Sequence, residues 1–333
     1  LPLTDTEKQL ATIWKRLLQL EQVERSGDFM EYGGDSMAVV ELSAEIRKAF
    51  DFPISPEMIY VHSVLSALAR VIDEQQIALT AINLDQEVSL HLTEEAVAAL
   101  PAPATVHQRI LLTGATGFLG SYLLERLIND QAVEQVVVLV RDQDLARGRQ
   151  RLLKIMHEHP LSLNNTHKLK FHYGDLSRPR LGLSKAAFEA LGQAVDTIYH
   201  CGAQVDWVKP YTHLRAANVD GTREVIHLAT SQTLKPLHYI STMWVVNSGV
   251  NQEAYKTYDE NHRADWRGLE NGYAQSKWVA EQLIFKAADL GVPTTSHRMD
   301  FIVGSAETGI IPEREFIVRL VLDCMKKQML FQE

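Results

Sequence analysis

The sequence predicts a small all-α domain of four helices followed by an α/β domain built on a doubly wound parallel sheet. Three observations predict it. Apolar residues recur at helical spacing over about the first 75 positions, with no strand pattern between them. From Arg109 onward, short apolar runs alternate with helical stretches, the pattern of a parallel sheet covered on both faces. Between the two, both signals fade towards Pro101-Ala-Pro-Ala104.

A chain of 333 residues suits two such domains, and 46% hydrophobic with 23% charged residues supplies a sizeable core and excludes a disordered or fibrous chain. The formal charge of −9 is uneven: residues 1–80 hold 7 Lys+Arg against 13 Asp+Glu, whereas residues 81–333 hold 26 against 29. The first quarter therefore carries −6, which argues against nucleic-acid binding and for an acidic module that docks on basic partner surfaces. Apolar runs such as Val136 to Val140 are too short to span a bilayer and no basic-then-apolar leader opens the chain, so no membrane association is expected. Two cysteines, Cys201 and Cys324, fit a reducing, cytoplasmic compartment. The start at Leu1 reads as a piece of a longer polypeptide.

Thr4 and Glu7 form a capping-box pattern ahead of Leu10, Ile13, Trp14, Leu17 and Leu18, which places helix one up to about Leu20. A second run through Met37, Val40, Ala44 and Phe50 starts at Ser36 and is broken at Phe52-Pro53. Shorter helices follow at Pro56 to Tyr60 and at Ser63 to about Glu74. Strands are expected at Ile110-Leu112, Val136-Val140, Lys170-Tyr173, Thr197-His200 and His238-Ser241. Helices are expected at Phe118-Asn129, Asp144-His157, Lys185-Leu191, Asn218-Ser231 and Tyr273-Asp289. The resulting division is residues 1–76, a linker and lead-in over 77–108, and the α/β domain over 109–333.

Three constellations carry chemistry. In Gly33-Gly34-Asp35-Ser36, after Asp28-Phe29, a serine sits at a helix N-terminus, where unpaired N–H groups and the helix dipole favour an attached phosphate. Spacing alone equally allows Ser36 to be a plain N-cap behind a glycine turn. In Thr113-Gly114-Ala115-Thr116-Gly117-Phe118-Leu119-Gly120, glycines between a strand and a helix suit a dinucleotide pyrophosphate better than a purely structural turn. Arg141 at the tip of the next strand favours a 2′-phosphate and hence NADPH, although the Arg147-Arg149-Arg151 run beside it also reads as a solvated helix face. In Tyr273-x-x-x-Lys277, the four-residue step puts an ammonium beside a phenol and lowers the phenol pKa from about 10, with Thr242 adding a hydroxyl at the end of the fifth strand.

The first constellation, within four helices of this size, resembles the peptidyl carrier domains of non-ribosomal peptide synthetases. The second and third resemble the extended short-chain dehydrogenase/reductase superfamily, with a Rossmann-type sheet. Within it, Gly174-Asp175-Leu176, His200-Cys201-Gly202-Ala203, Asn218-Val-Asp-Gly221-Thr222 and Pro210-Tyr211 resemble terminal thioester reductase domains. The carrier resemblance implies a covalent 4′-phosphopantetheine on Ser36, installed by a phosphopantetheinyl transferase and loaded by upstream adenylation and condensation domains. The reductase resemblance implies pyrophosphate contacts at Thr113, Gly114, Thr116, Gly117, Phe118, Leu119 and Gly120, 2′-phosphate contacts at Arg141 and Arg151, and adenine contacts at Asp175 and Leu176. It also places Ala203 by the ribose and nicotinamide, Lys277 on the nicotinamide ribose, and Thr242, Tyr273 and Lys277 as the catalytic group.

The run Met299-Asp300-Phe301-Ile302-Val303-Gly304 departs from the Pro-Gly pair usual in the family, and the chain stops at Glu333, where such reductases continue into a smaller C-terminal substrate portion. The implied activity is NADPH-dependent release of a carrier-bound acyl or peptidyl thioester as an aldehyde, and onward reduction to an alcohol is left open. Two alternatives stand beside it: a sugar-nucleotide epimerase or dehydratase of the extended type, and a non-catalytic NADP-binding interaction protein. No metal is expected, since His157-Glu158-His159 reads as a solvated helix end. Cys201 reads as packing, and Trp207 and Trp244 as either substrate mouth or core.

Overall fold

The structure is a computed structural model that describes residues 1–52, 54, 56–81, 83–141, 144–162, 164–206, 209–246, 259–269, 271–312, 318, 321, 322 and 325, with the side chains of 36, 37, 56, 57 and 75–81 left out. Pro53, Trp207 and Cys324 lie outside the described residues, and Ser36 is described by its backbone.

Thr4 opens α1 (Asp5–Leu18) as expected, its hydroxyl accepting the Glu7 N–H at 3.1 Å. Glu7 reaches back one residue beyond the cap, accepting from Leu3 N at 2.6 Å, and pairs with Arg25 at 2.9 Å. The helix stops short of Leu20 because Gln19 turns left-handed at φ 54°. In α2 (Ser36–Phe50) the cap is Asp35, whose carboxylate accepts from Ala38 N at 2.8 Å, so Ser36 is the first helical residue and not the N-cap.

The buried stripe of α2 is Val39, Leu42 and Ile46, while Val40, one step off it, is 51% exposed. With α3 (Pro56–Val61) and α4 (Leu65–Ala81), these residues close a core around Leu10, Leu68, Ile72 and the edge-on pair Trp14 and Phe29, whose ring centroids lie 5.0 Å apart. Helix α4 runs on past Glu74 because the following residues contain no glycine or proline to stop it.

The segment after α4 holds two short capped helices, α5 (Leu84–Glu87) and α6 (Glu94–Ala98), which the sequence pattern does not announce. Their four and five residues are too few to show a period. Leu84 and Val97 are nevertheless buried in the core of the α/β domain, with Val88, Leu90 and Leu92 packed against it.

The sheet comprises β1 (Arg109–Thr113), β2 (Gln135–Val140), β3 (Leu169–Tyr173), β4 (Thr197–His200), β5 (Leu237–Thr242) and β6 (Thr294–Met299), all parallel, in the order 3-2-1-4-5-6. Strand β6 has no counterpart among the expected strands. Its sequence, Thr-Thr-Ser-His-Arg-Met, lacks an apolar run because it lies at the sheet edge and buries little.

Helices α7 (Phe118–Asn129) and α8 (Leu145–Glu158) cover one face, against Ile110, Leu112, Val136 and Val138. On the other face lie α9 (Lys185–Ala194), α10 (Tyr211–Arg215), α11 (Gly221–Ala229) and α12 (Gly272–Asp289), against Leu111, Val137 and Ile198. Apolar side chains alternate between the two layers, which is why these strands read as continuous apolar runs. Strand order reverses between β1 and β4, and a crevice opens at their C-terminal ends. Among the described residues, no helix is long and apolar enough to cross a membrane.

His159 corrects the reading of a solvated helix end. His157 and Glu158 are exposed, but the His159 ring stacks on Tyr122 at 5.7 Å, meets Phe118 edge-on at 5.3 Å, and its Nδ1 lies 2.9 Å from Ser121 Oγ. Among the described residues, no cluster of metal-ligating side chains occurs.

Candidate active site

The turn after β1 is shaped by two glycines. Gly114 sits at φ +75°, and a Cβ there would lie 2.6 Å from Gly202 N on the loop after β4. A Cβ on Gly120 would lie 2.1 Å from Gly114 O, so helix α7 can approach the turn only without a side chain at that position. Gly117 caps α7 with no side-chain hydrogen bond, which leaves the first-turn N–H groups facing the crevice.

That crevice is a cleft of about 630 Å³. It is lined by residues of the glycine turn from Thr113 to Gly120, by Arg141, Arg151, Asp175 and Leu176, and by Ala203, Thr242, Tyr273 and Lys277. Every candidate residue of the α/β domain thus borders one space, although they come from separate stretches of chain. Ser36 belongs to the other domain, at the start of α2.

Arg141 follows β2 directly, and its charge acts on Asp175 beyond β3. Burial alone would raise the Asp175 carboxyl, but hydrogen bonds from Ser177 Oγ (2.7 Å) and Ser177 N (3.0 Å), with Arg178 and Arg141 nearby, hold it below the usual carboxylate range.

A buried hydrogen-bond chain runs beneath the turn. Thr222 Oγ1 donates to Asn218 O at 2.6 Å and so accepts from His200 Nε2 at 3.1 Å. His200 Nδ1 then accepts from Thr113 Oγ1 at 2.7 Å, and Thr113 Oγ1 accepts from Gly202 N at 3.0 Å. Burial, with the Lys277 ammonium nearby, pushes the His200 imidazole down to about 3, so it is neutral. Asn218 lies in a π-helical turn, Ala216–Asp220, and its side chain binds Gln204 N (2.7 Å), Gln204 O (3.0 Å) and Ser276 Oγ (2.9 Å). The cleft loop is thereby tied to the helix that bears Tyr273.

Sequence reasoning gives neither His200 nor Asn218 a role at the site, although both stand in the segments that carry the reductase resemblance. A polar residue inside an apolar strand, such as His200 in Thr-Ile-Tyr-His, is the signal that could find the first.

Asn271 caps α12 by accepting from Ala274 N at 2.8 Å, which presents Tyr273 in the first turn with Lys277 one turn later. Lys277 is 3% exposed. Its Nζ donates to Ile240 O at 2.6 Å and lies 4.1 Å from the Tyr239 ring centroid. Burial pushes Lys277 down to about 7, against Glu281 and Cys201, which act to raise it. Thr242 Oγ1 accepts from Trp244 N at 3.3 Å, which leaves its own proton to donate.

Cys201 packs against the β1 and β2 layer and also borders the cleft, with its thiol pushed up to about 12 by burial. Trp244 borders the cleft too and meets Phe301 edge-on at 5.8 Å, and the departing run from Met299 to Ile302 forms part of the wall.

The model of the male sterility protein family of NAD-binding domains matches residues 112–332, and that of the phosphopantetheine attachment site matches residues 8–72. A linear gramicidin synthase of Brevibacillus parabrevis is 33% identical over 330 residues, 96% of this chain and 6% of that protein. The aldehyde reductase lnbA of Aspergillus flavus is 34% identical over 336 residues, 96% of this chain and 33% of that protein. The chain therefore spans a third or less of the length of these relatives.

Among solved structures, the terminal R domain of the myxalamid PKS-NRPS pathway is 36% identical with a TM-score of 0.68, covering 73% of this chain and 61% of that one. A thiolation-reductase di-domain from an archaeal non-ribosomal peptide synthetase shares the fold over 94% of this chain and 67% of that one, with a TM-score of 0.58 at 24% identity. A helical phosphopantetheine attachment domain thus precedes the sheet, and the chain belongs to the male sterility protein family of NAD-binding domains.

Proposed function

We propose that this chain catalyses NADPH-dependent release of an acyl or peptidyl thioester from its own carrier domain as an aldehyde. One observation carries the reading: Thr242, Tyr273 and Lys277 converge on the glycine-turn cleft of a chain that also bears a phosphopantetheine attachment domain.

The residues present fit a dinucleotide. The uncapped N-terminus of α7 and the side-chain-free turn suit a pyrophosphate held by Thr113, Gly114, Thr116, Gly117, Phe118, Leu119 and Gly120. Arg141 and Arg151 supply the positive charge that a 2′-phosphate requires, which favours NADPH over NADH. Asp175 and Leu176, which line the cleft, would hold the adenine, and Ala203 and Lys277 would hold the nicotinamide ribose. Ser36, at the start of α2, takes the phosphopantetheine arm, with the helix N-terminus favouring its phosphate.

When bound, the dihydronicotinamide supplies a hydride to the thioester carbonyl carbon. Tyr273 donates its phenol proton to the carbonyl oxygen as negative charge grows there, and Thr242 donates a second hydrogen bond from its free hydroxyl proton. Protonated Lys277, one turn along α12, favours loss of that phenol proton. As the resulting hemithioacetal collapses, its hydroxyl gives up its proton, the C=O bond reforms and the C–S bond breaks with its electron pair on sulfur, which takes up a proton to become the free thiol while the aldehyde leaves.

A phosphopantetheinyl transferase is the partner that would prime Ser36, upstream adenylation and condensation domains would load it, and the cytoplasm is the compartment that supplies these reactants. The test is to prime the chain with coenzyme A and a transferase, load an acyl group, and follow NADPH absorbance with Tyr273 intact and as Tyr273→Phe. A mass gain on Ser36 and thioester-dependent oxidation that falls by about 10²–10⁴ in the variant are expected. Undiminished oxidation in Tyr273→Phe, or no labelling of folded protein, overturns the reading.

A further inference from the structure

We infer that Tyr239, outside the set that borders the cleft, is a positioning residue whose ring face seats the Lys277 ammonium and keeps it charged beside Tyr273. The inference rests on the reductive reading of the site.

The Lys277 side chain is enclosed, with its Nζ held from two sides. One contact is the Ile240 carbonyl at 2.6 Å, and the other is the Tyr239 ring, with its centroid 4.1 Å away. That separation is well inside the range at which an aromatic quadrupole attracts a cation, and the attraction is strongest where water is excluded.

Tyr239 itself is 1% exposed, and among the described residues its hydroxyl has no hydrogen-bond partner. A buried phenol normally spends its hydroxyl on a partner, so the interaction Tyr239 gives its surroundings is through the ring. Its place on β5, one residue before Ile240, puts both contacts of the ammonium on one strand, so the strand fixes where the charge sits.

The helix side gives the same picture. Tyr273, Lys277 and Glu281 recur at four-residue steps on α12. Glu281, 1% exposed, is held by Arg298 at 3.0 Å on each carboxylate oxygen and by Ser296 Oγ at 2.9 Å. Its charge is therefore fixed at one end of the row while the reacting phenol stands at the other. The charged and titratable groups that act on Lys277 or on Tyr239 are Glu281 and Tyr273 from α12, and His200 with Cys201 from the end of β4. His200 is neutral and the Cys201 thiol is protonated at working pH. Glu281, the Ile240 carbonyl and the Tyr239 ring are thus what offset the desolvation of the ammonium.

The experiment measures Lys277 directly, without cofactor or substrate. Full-length chain is acetylated by competitive labelling with trace acetic anhydride across pH 5–10, a range of about five units centred near the value for Lys277, and the Lys277 peptide is quantified by mass spectrometry. Loss of the ring in Tyr239→Leu, or in Tyr239→Met should the leucine variant not fold, lowers the labelling midpoint by about one pH unit. Tyr239→Phe keeps the ring and leaves the midpoint in place.

Identical midpoints for the ringless variant and wild type overturn the inference, as does an equal shift in Tyr239→Phe, which would assign the effect to the hydroxyl. In NADPH oxidation the alkaline limb moves to lower pH in the ringless variant alone. If wild type shows no thioester-driven oxidation the reductive reading fails, and the labelling midpoints still decide the role of Tyr239.

Discussion

The Thr113 hydroxyl lies 2.7 Å from His200 Nδ1, at the point where β1 and β4 part and the strand order reverses. Both residues are buried, at 1% exposure each. The contact joins the dinucleotide turn to the π-helical turn that carries Asn218, through an imidazole whose two nitrogens are both occupied.

Replacing Thr113 by Val leaves His200 Nδ1 and Gly202 N without the shared hydroxyl. Burying these groups unpaired costs about 1–3 kcal/mol, which thermal melting reads, and NADPH affinity falls because the Gly202 loop loses its tie to the turn. The histidine also has a pH signature. Its folded value of about 3 lies below the ordinary value of 6.5, so the unfolded chain binds the extra proton between them. The stabilisation is complete above about pH 6.5 and is lost as pH falls towards 3. His200→Gln flattens that acid limb of the melting profile, and an unchanged limb would count against a neutral buried His200.

Arg141 is the residue proposed to discriminate between cofactors, since it follows β2, lines the cleft and acts on Asp175. In Arg141→Ala, NADPH affinity falls about ten- to a hundredfold while NADH affinity holds, because only the former brings a 2′-phosphate to be paired. Fluorescence titration with the two dinucleotides measures this, and equal losses for both would reassign Arg141 to a general role.

What could be seen in the sequence follows burial. Strands β1, β2 and β4 announce themselves because apolar side chains enter both helix layers, as Leu111 and Leu112 do on β1. Strand β6 stays hidden because an edge position tolerates Thr294, Ser296 and His297, whose pairing partners lie only on β5. The helices in the linker stay hidden because Leu84 and Val97 are anchored by contacts with residues far along the chain. The glycine turn and the Tyr273-Lys277 pair are local patterns and could be read directly. By contrast, His200, Asn218 and Tyr239 matter through partners distant in sequence, 87 positions in the Thr113 to His200 bond and 22 in the His200 to Thr222 bond, and only the fold brings such partners together.

Asp28 ties the loop before Ser36 to the start of α4. Its Oδ1 accepts from Met30 N at 2.8 Å and Glu31 N at 3.3 Å, and its Oδ2 accepts from Ser63 Oγ. Burial would raise the carboxyl, but these donors outweigh it and hold it below the usual carboxylate range. A depressed carboxyl stabilises above the unfolded value and loses that contribution as pH falls through the folded one. Asp28→Ala costs about 1–3 kcal/mol near neutrality and weakens the acid dependence of the helical domain, to which Glu7, held down by its own donors, also contributes, read by hydrogen exchange in α1 and α2 peptides. Wild-type exchange in the variant would show that the loop holds without this carboxylate.

Glu281 and Arg298 form the most enclosed ion pair among the described residues, with side chains 1% and 12% exposed, and they join α12 to β6. Such a pair contributes little net stability, because both charges lost their water, yet each becomes a liability without the other. Arg298→Met leaves the Glu281 carboxylate with Ser296 as its one side-chain donor and costs about 3–5 kcal/mol. The double variant Glu281→Leu with Arg298→Met removes both charges and recovers most of that loss in a melting experiment. The recovered protein would still differ at the cleft, because Lys277 has lost the carboxylate that acts to raise it. Its labelling midpoint therefore falls even where the melting temperature returns, which separates what the pair does for the fold from what it does for the ammonium. Recovery of both together would mean that Glu281 serves the fold alone.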